Sequence, residues 1–349
     1  MPIDRLPESV HTLYAELLEQ TLQAEAEAVA GRLPAPGSFV SKEVRGARYW
    51  YLQRSEAGRT RQYYLGRDTP ALRRWMERVA EQRREQAPDA ARRAEIVAML
   101  AAGGAFRERA PVARVLRLLA EAGVFRLGGV LVGTQAFSAY GNLLGVRFEA
   151  ASARTEDIDV AQERGIAVAL DPATVPADIE AVLRHADARF FAVPTLDPRQ
   201  ASTSFSLRGR DLRVDLLTPQ RGGETAPVTL PHLKAAAQPV PFLGFLLAAT
   251  QPAVLLEGSG VLVNVPDPAR FLLHKLWLSA ERPVAFQAKA RKDLRQASQL
   301  LQVLHLDRPA DLRRAWRQFE TGRRTAVLAA AERLEPEARA RLAALLAVG

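Results

Sequence analysis

Residues 130–161 read VLVGTQAFSAYGNLLGVRFEAASARTEDIDVA. The apolar run Val130–Val132 suits a buried strand, Gly133 and Thr134 punctuate it as a tight turn, and 135–144 carries helical spacing. After a loop over 145–154, Asp157, Ile158, Asp159 and Val160 alternate polar with apolar, which predicts a strand over 158–161. Residues i and i+2 of a strand face the same side, so Asp157 and Asp159 project together while Ile158 packs the other way. Their Cα atoms are then roughly 6.5–7 Å apart, a gap that carboxylate arms close around one or two divalent cations. Without a cation, two like charges held so near repel, and one tends to keep its proton.

An Asp-x-Asp pair alone also describes two solvated carboxylates on an edge strand, so its surroundings decide the reading. Gly133 lets the backbone approach a ligand closely. The N–H groups of the helix start suit a phosphate, and the Thr134 hydroxyl adds a donor. Asp215 sits in the apolar run LRVDLL (212–217), where a buried carboxylate needs a partner. Beside the Asp157 strand it would be a third metal ligand or a general base.

Working outward, 8–30 reads as a helix, ended by LPAPG at 33–37. Strand-like runs at 44–52 and 62–65, joined across a turn containing Gly58, predict a small antiparallel sheet. Helices follow over 69–86 and 90–101, and Gly103–Gly104 marks a hinge. A helix is expected over 112–122, another over 176–185, a strand over 190–193, and a hairpin of 202–207 with 212–217 turning at Gly209. A strand pair, 254–257 and 260–265, precedes helices running from Pro268 to the end. The whole predicts an α+β fold: a mixed, mostly antiparallel sheet with flanking helices at 105–225, a β-containing module at 1–104, and a strand pair with a helical region at 226–349.

The chain has 349 residues, 48% hydrophobic and 25% charged, ordinary for a globular protein. Its longest apolar runs are broken by Gly or Pro and fall short of a membrane span, and the N-terminus lacks a signal-peptide pattern. Cysteine is absent, which excludes thiolate catalysis, disulfides and Cys-ligated zinc. A cytoplasmic protein without membrane contact is expected. The five histidines (His11, His185, His232, His274 and His305) show no zinc spacing. The net charge of +9 either attracts polyanions such as nucleotides or RNA or reflects Arg- and Ala-rich codon usage. Two clusters give that charge a place. Lys42, Arg45, Arg48, Arg59 and Arg61 interleave with Tyr49, Trp50, Tyr51, Tyr63 and Tyr64, a mixture that serves either base stacking or a small aromatic core. Three of only five lysines, Lys275, Lys289 and Lys292, fall in one window, which suggests a use for a compact ammonium. Lys275 facing the carboxylates would stabilise developing phosphate charge.

Gly-Thr before a helix, then Asp157-Ile158-Asp159, then a later strand Asp, resembles the polymerase-β-like nucleotidyltransferase superfamily over about 112–219. Thr134 stands where that superfamily usually has Ser or Gly, and the spacer to Asp157 is longer. The strings GTQAFSAYGNLLGVRF, TEDIDVA, RYWYLQ, YYLG, PARFLLHKL and KARKDLRQA look like a bacterial nucleotidyltransferase-like group. Lys275 followed by Asp293 is similar to AbiEii-type toxin nucleotidyltransferases, where such a pair completes the site. The resemblance implies transfer of a nucleoside monophosphate from an NTP to an acceptor hydroxyl. Mg²⁺ (or Mn²⁺) would sit on Asp157, Asp159 and Asp215, and the nucleotide on Gly133, Thr134, Lys275 and Asp293. RNA such as tRNA, a protein side chain or a small molecule such as an antibiotic are the acceptor classes, and a toxin or defence role is implied. The alternative is a non-catalytic nucleotide- or RNA-binding protein that keeps the fold.

Overall fold

The computed structural model describes residues 4–29, 37–44, 46–56, 59–153, 155–165, 178–195, 197 and 199–347. Residues 33–36 of the expected helix break, the turn at Gly58 and Pro176 at an expected helix start lie outside them. The first part runs β1 (Asp4–Arg5), α1 (Glu8–Val29), an antiparallel meander β2 (Ser38–Val44), β3 (Ala47–Glu56) and β4 (Arg59–Arg67), then α2 (Pro70–Ala102). The central part comprises α3 (Ala110–Glu121), β5 (Val130–Val132), α4 (Gly133–Leu143), β6 (Val146–Arg147), α5 (Ala150–Ala153), β7 (Asp157–Ala161), α6 (Ile179–Ala186), β8 (Phe190–Ala192), β9 (Ser204–Leu207), β10 (Arg213–Pro219), β11 (Val228–Leu230) and β12 (Ala235–Val240). It is followed by α7 (Leu243–Leu247), the hairpin β13 (Thr250–Leu255) and β14 (Val261–Pro266), and α8 (Pro268–Glu281), α9 (Gln287–Asp307), α10 (Pro309–Arg317), α11 (Arg324–Ala331) and α12 (Pro336–Ala347).

The fold is α+β, built on a seven-stranded sheet in the order β11-β12-β10-β7-β5, with β8 and β9 off that path. β10 is its organising strand. One edge pairs in parallel with β7; the other is shared, β9 taking Arg213–Asp215 antiparallel and β12 taking Leu217–Pro219 in parallel. Alternation explains the placement: Ile158, Val160, Val214 and Leu216 are buried in the main core, and the residues between them face the other way. The expected hairpin at 202–217 forms, with Gly209 in the left-handed region (φ 77).

The expected pair of helices at 69–86 and 90–101 is one helix. Thr69 caps α2 by accepting the Leu72 N–H (3.2 Å), and Pro70 occupies its first turn. Pro88 removes a single hydrogen-bond donor, while Ile96, Val97 and Leu100 anchor the far half in a second core with Leu6, Val10, Tyr14, Leu17, Val254 and Leu256. The expected hinge at Gly103–Gly104 is a fastened helix end. Arg147 donates to both glycine carbonyls (3.1 and 3.0 Å), and a Cβ on Gly104, at φ 87, would sit 2.2 Å from that guanidinium.

Tyr14 ties α1 to the hairpin: its hydroxyl donates to the Val254 carbonyl (3.2 Å) and accepts the Val254 N–H (2.9 Å). No helix among the described residues is long and apolar enough to cross a membrane. Tyr14→Phe removes both bonds and leaves two buried backbone groups unpaired, which costs about 1–3 kcal/mol. Urea unfolding is expected to show a lower midpoint with an unchanged slope; an unchanged midpoint refutes the assignment.

Candidate functional site

Strand register builds the site. β7 lies between β5 and β10, and Asp159 stands directly opposite Val132 on one side and Asp215 on the other. Asp157 stands opposite Arg213. Because the alternate residues fill the core, the carboxylates emerge on one face, Asp157 exposed and Asp159 half-buried. α4 begins directly at Gly133, with no intervening turn at 133–134 and no side-chain cap. Its first N–H groups are therefore left for another acceptor. Gly133 has φ 64, and a Cβ there would lie 2.2 Å from Asp159 Oδ2. Both the backbone angle and the neighbouring carboxylate require glycine.

Buried amides frame this corner. Thr134 Oγ1 accepts a long bond from Gln296 Nε2 (3.4 Å), a contact that does not use the hydroxyl proton. Gln296 also donates to the Ser152 carbonyl (2.8 Å). Gln135 Nε2 reaches the carbonyls of Thr155 and Asp157 (3.4 and 3.5 Å), linking α4 to the entry of β7. The Oε1 atoms of Gln135 and Gln296 are buried with no partner among the described residues. Gln135 and Gln296 lie within the strings GTQAFSAYGNLLGVRF and KARKDLRQA, but nothing in the sequence assigned either of them a role.

Burial, reinforced by the Asp215 charge, pushes the Asp159 carboxyl up to about 6, against the pull of Lys275 and Lys289. Asp215 Oδ1 accepts from the Ser204 hydroxyl and from Arg213 Nε (2.9 Å), and Arg213 also donates to Ser204 Oγ (2.8 Å). Counting back through the Gly209 hairpin sets Ser204 opposite Asp215, so register counting was the signal that could have found it. Lys275 and Arg282 donate to the two oxygens of Asp293 (2.7 and 2.5 Å), which is 3% exposed. Burial alone would raise that carboxyl, but the two cations outweigh it and hold it below its usual range. Asp293, expected at the nucleotide, thus has both oxygens engaged by Lys275 and Arg282. Lys292 is lowered by burial and by Lys275, against the attraction of Asp157 and Asp293. The three lysines of the sequence window therefore all act on this carboxylate face. His274 is buried and driven down to about 3, so it is neutral and packs on Phe242 and Trp277.

Gly133, Thr134, Asp157, Asp159 and Asp215 thus meet at one corner, with the Lys275–Asp293 pair acting on it through its field. No group of three or more His, Asp or Glu side chains closes into a metal-ligand cluster among the described residues. The donor set is nonetheless all carboxylate, which suits a hard divalent cation, and the raised Asp159 carboxyl marks a charge that a cation would offset.

A family model described as nucleotidyltransferase matches residues 110–321, more than half of the chain. The chain belongs to that nucleotidyltransferase family. The match runs from α3 past α10 and so takes in both the carboxylates and the lysines. Residues 8–74, covering α1 and the meander, match a domain of unknown function, DUF6788. No curated protein and no solved structure matches the chain.

Gly133→Ala should lower nucleotidyl transfer at least 100-fold with the circular dichroism spectrum kept; near-normal turnover would contradict the close approach. Asp159 gives a second test. Its folded value (about 6) exceeds its ordinary 3.8, so the folded state binds the proton more tightly and stability falls as pH rises from about 4 to 6. Asp159→Asn removes that penalty. It should raise stability by about 3 kcal/mol at pH 7.5, the gain fading towards pH 4; a gain equal at both pH values overturns the account.

Proposed function

We propose that the chain transfers a nucleoside monophosphate from an NTP to an acceptor hydroxyl. The observation that carries this reading is the pairing of Asp159 with Asp215 across β7 and β10 at the point where α4 starts on a glycine. Family membership supports the reaction class. Asp157, Asp159 and Asp215 would hold Mg²⁺ or Mn²⁺, which supplies charge neutralisation of the triphosphate and polarisation at phosphorus.

The chain's own groups account for the rest. Uncapped N–H groups at the start of α4 and the Thr134 hydroxyl bind phosphate oxygens. Lys275, held by Asp293, and the neighbouring Lys289 and Lys292 offset the negative charge that gathers during transfer. Asp215 uses Oδ1 to bind Ser204 and Arg213, so Oδ2 is the oxygen that takes the proton of the attacking hydroxyl. The arrangement does not depend on the acceptor being any particular molecule. A toxin or defence role rests only on the Lys275–Asp293 similarity.

Incubation with each α-labelled NTP, Mg²⁺ or Mn²⁺, and separately cellular RNA, cellular protein and small-molecule alcohols tests the proposal. Label is expected in one acceptor class, and Asp157→Ala with Asp159→Ala should abolish it. Transfer surviving that double substitution rules out this site, and no transfer to any acceptor favours a nucleotide-binding protein that keeps the fold. Lys275→Met is expected to cut turnover at least tenfold and to destabilise the chain by about 3 kcal/mol through the buried Asp293 it leaves behind. Unchanged thermal unfolding would show the pair to be dispensable.

A further inference from the structure

The β2–β4 meander has two faces of different character. Phe39, Trp50 and Leu52 fall on the face turned to α2: Phe39 packs edge-on against Trp75 (5.6 Å between centroids), and Trp50 Nε1 donates to Asp68 (3.0 Å). The sheet therefore has its apolar contact without Tyr49, Tyr51 and Tyr64. The opposite face, read from the register, has three cross-strand rows: Lys42–Tyr49–Arg67, Val40–Tyr51–Tyr64 and Ser38–Gln53–Gln62. Tyr64 meets Tyr51 edge-on (5.6 Å) and Tyr49 at a tilt (6.1 Å), and Lys42 Nζ lies 5.0 Å from the Tyr51 ring centre. Tyr64 is 60% exposed, and Lys42, Arg67 and Gln62 are exposed. Glu43, opposite Arg48, falls on the α2 side.

Tyr64 is left in water, with Tyr49 and Tyr51 half-buried beside it and ammonium and guanidinium groups at its flanks, and its exposure has no folding reason that the structure supplies. We infer that this face binds single-stranded RNA, its bases on Tyr49, Tyr51 and Tyr64 and its phosphates on Lys42 and Arg67. Unpaired bases offer π-faces that a duplex hides. Three strands about 4.8 Å apart make a platform the width of one strand of nucleic acid. The Gln53–Gln62 amide pair (2.7 Å) and the tyrosine hydroxyls supply partners for ribose 2′-hydroxyls. The inference deepens the proposed reaction by naming the acceptor class, and it rests on that reading only for the claim that the bound RNA is what receives the nucleotide.

Binding is measured on full-length chain carrying Asp157→Ala and Asp159→Ala, so that no turnover interferes. The probes are a fluorescent 12-nucleotide oligoribonucleotide of mixed sequence, its deoxy counterpart and an RNA duplex, read by anisotropy. The single-stranded RNA is expected to bind at least tenfold more tightly than the other two. Tyr51→Ala with Tyr64→Ala should weaken it at least tenfold, Tyr51→Phe with Tyr64→Phe should retain stacking, and unfolding temperatures should be unchanged. Lys42→Ala with Arg67→Ala should flatten the slope of log affinity against log salt by about 1.4. Equal binding of duplex or DNA, indifference to the tyrosine pair, or label transfer only to protein overturns the inference. Loss of RNA binding with transfer to another acceptor intact sinks this inference alone; RNA binding without any transfer sinks the enzymatic reading alone.

Discussion

Parallel hydrogen bonding between β7 and β10 is the constraint on which the carboxylate corner depends. A slip of one residue would turn Asp215 into the core and Val214 onto the carboxylate face. A slip of two would keep the polarity but remove the match with Asp159. The register resists both because β10 is gripped on each edge, by β7 along one and by β9 and β12 in succession along the other. Buried Ile158, Val160, Val214 and Leu216 supply the apolar face that holds the strands together, so like charges on the opposite face are tolerated.

That corner is where local comfort gives way. Gly133 takes a left-handed angle, Asp159 is held towards its neutral form by burial and by Asp215, and two glutamine carbonyl oxygens find no partner among the described residues. Such local conflicts collect where a fold serves something other than its own stability. The cationic side is arranged differently. Asp293 stands between Lys275 and Arg282, so the trio carries one net positive charge and keeps the Lys275 ammonium in place without a flexible surface side chain. α8 and α9, which carry these residues, pack against each other, and this makes the helical region part of the site.

The alternating letters of 157–161 made the strand and its carboxylate face readable, and the LRVDLL run did the same for Asp215. Their adjacency was not readable, because a parallel pairing joins strands some fifty residues apart and no local signal carries it. The unity of α2 was hidden by Pro88, whose local cost is outweighed by packing from α1 and β13, elements distant in the sequence. Gly103–Gly104 read as a hinge for the same reason: the residue that fastens it, Arg147, lies far along the chain. Ser204 lies in no quoted string, and Gln135 and Gln296, though inside two of them, carried no chemical signal of their own; their places come from contacts. The lysine window was legible as a compositional oddity, and the structure adds the buried ion pair of Lys275 with Asp293.

α2, at about 1.5 Å per residue, is roughly 50 Å long. Arg147 clamps one end, the meander sits at the other, and the single missing backbone bond lies about 27 Å from the meander end. Mechanically this is a cantilever with one soft joint. A bend of about 10° at Pro88 displaces the outer end by about 5 Å, close to the spacing between neighbouring strands, while the clamped root and the carboxylates stay still. Distance from the sheet face to the chemistry is thus set by one helix, and its compliance by one proline.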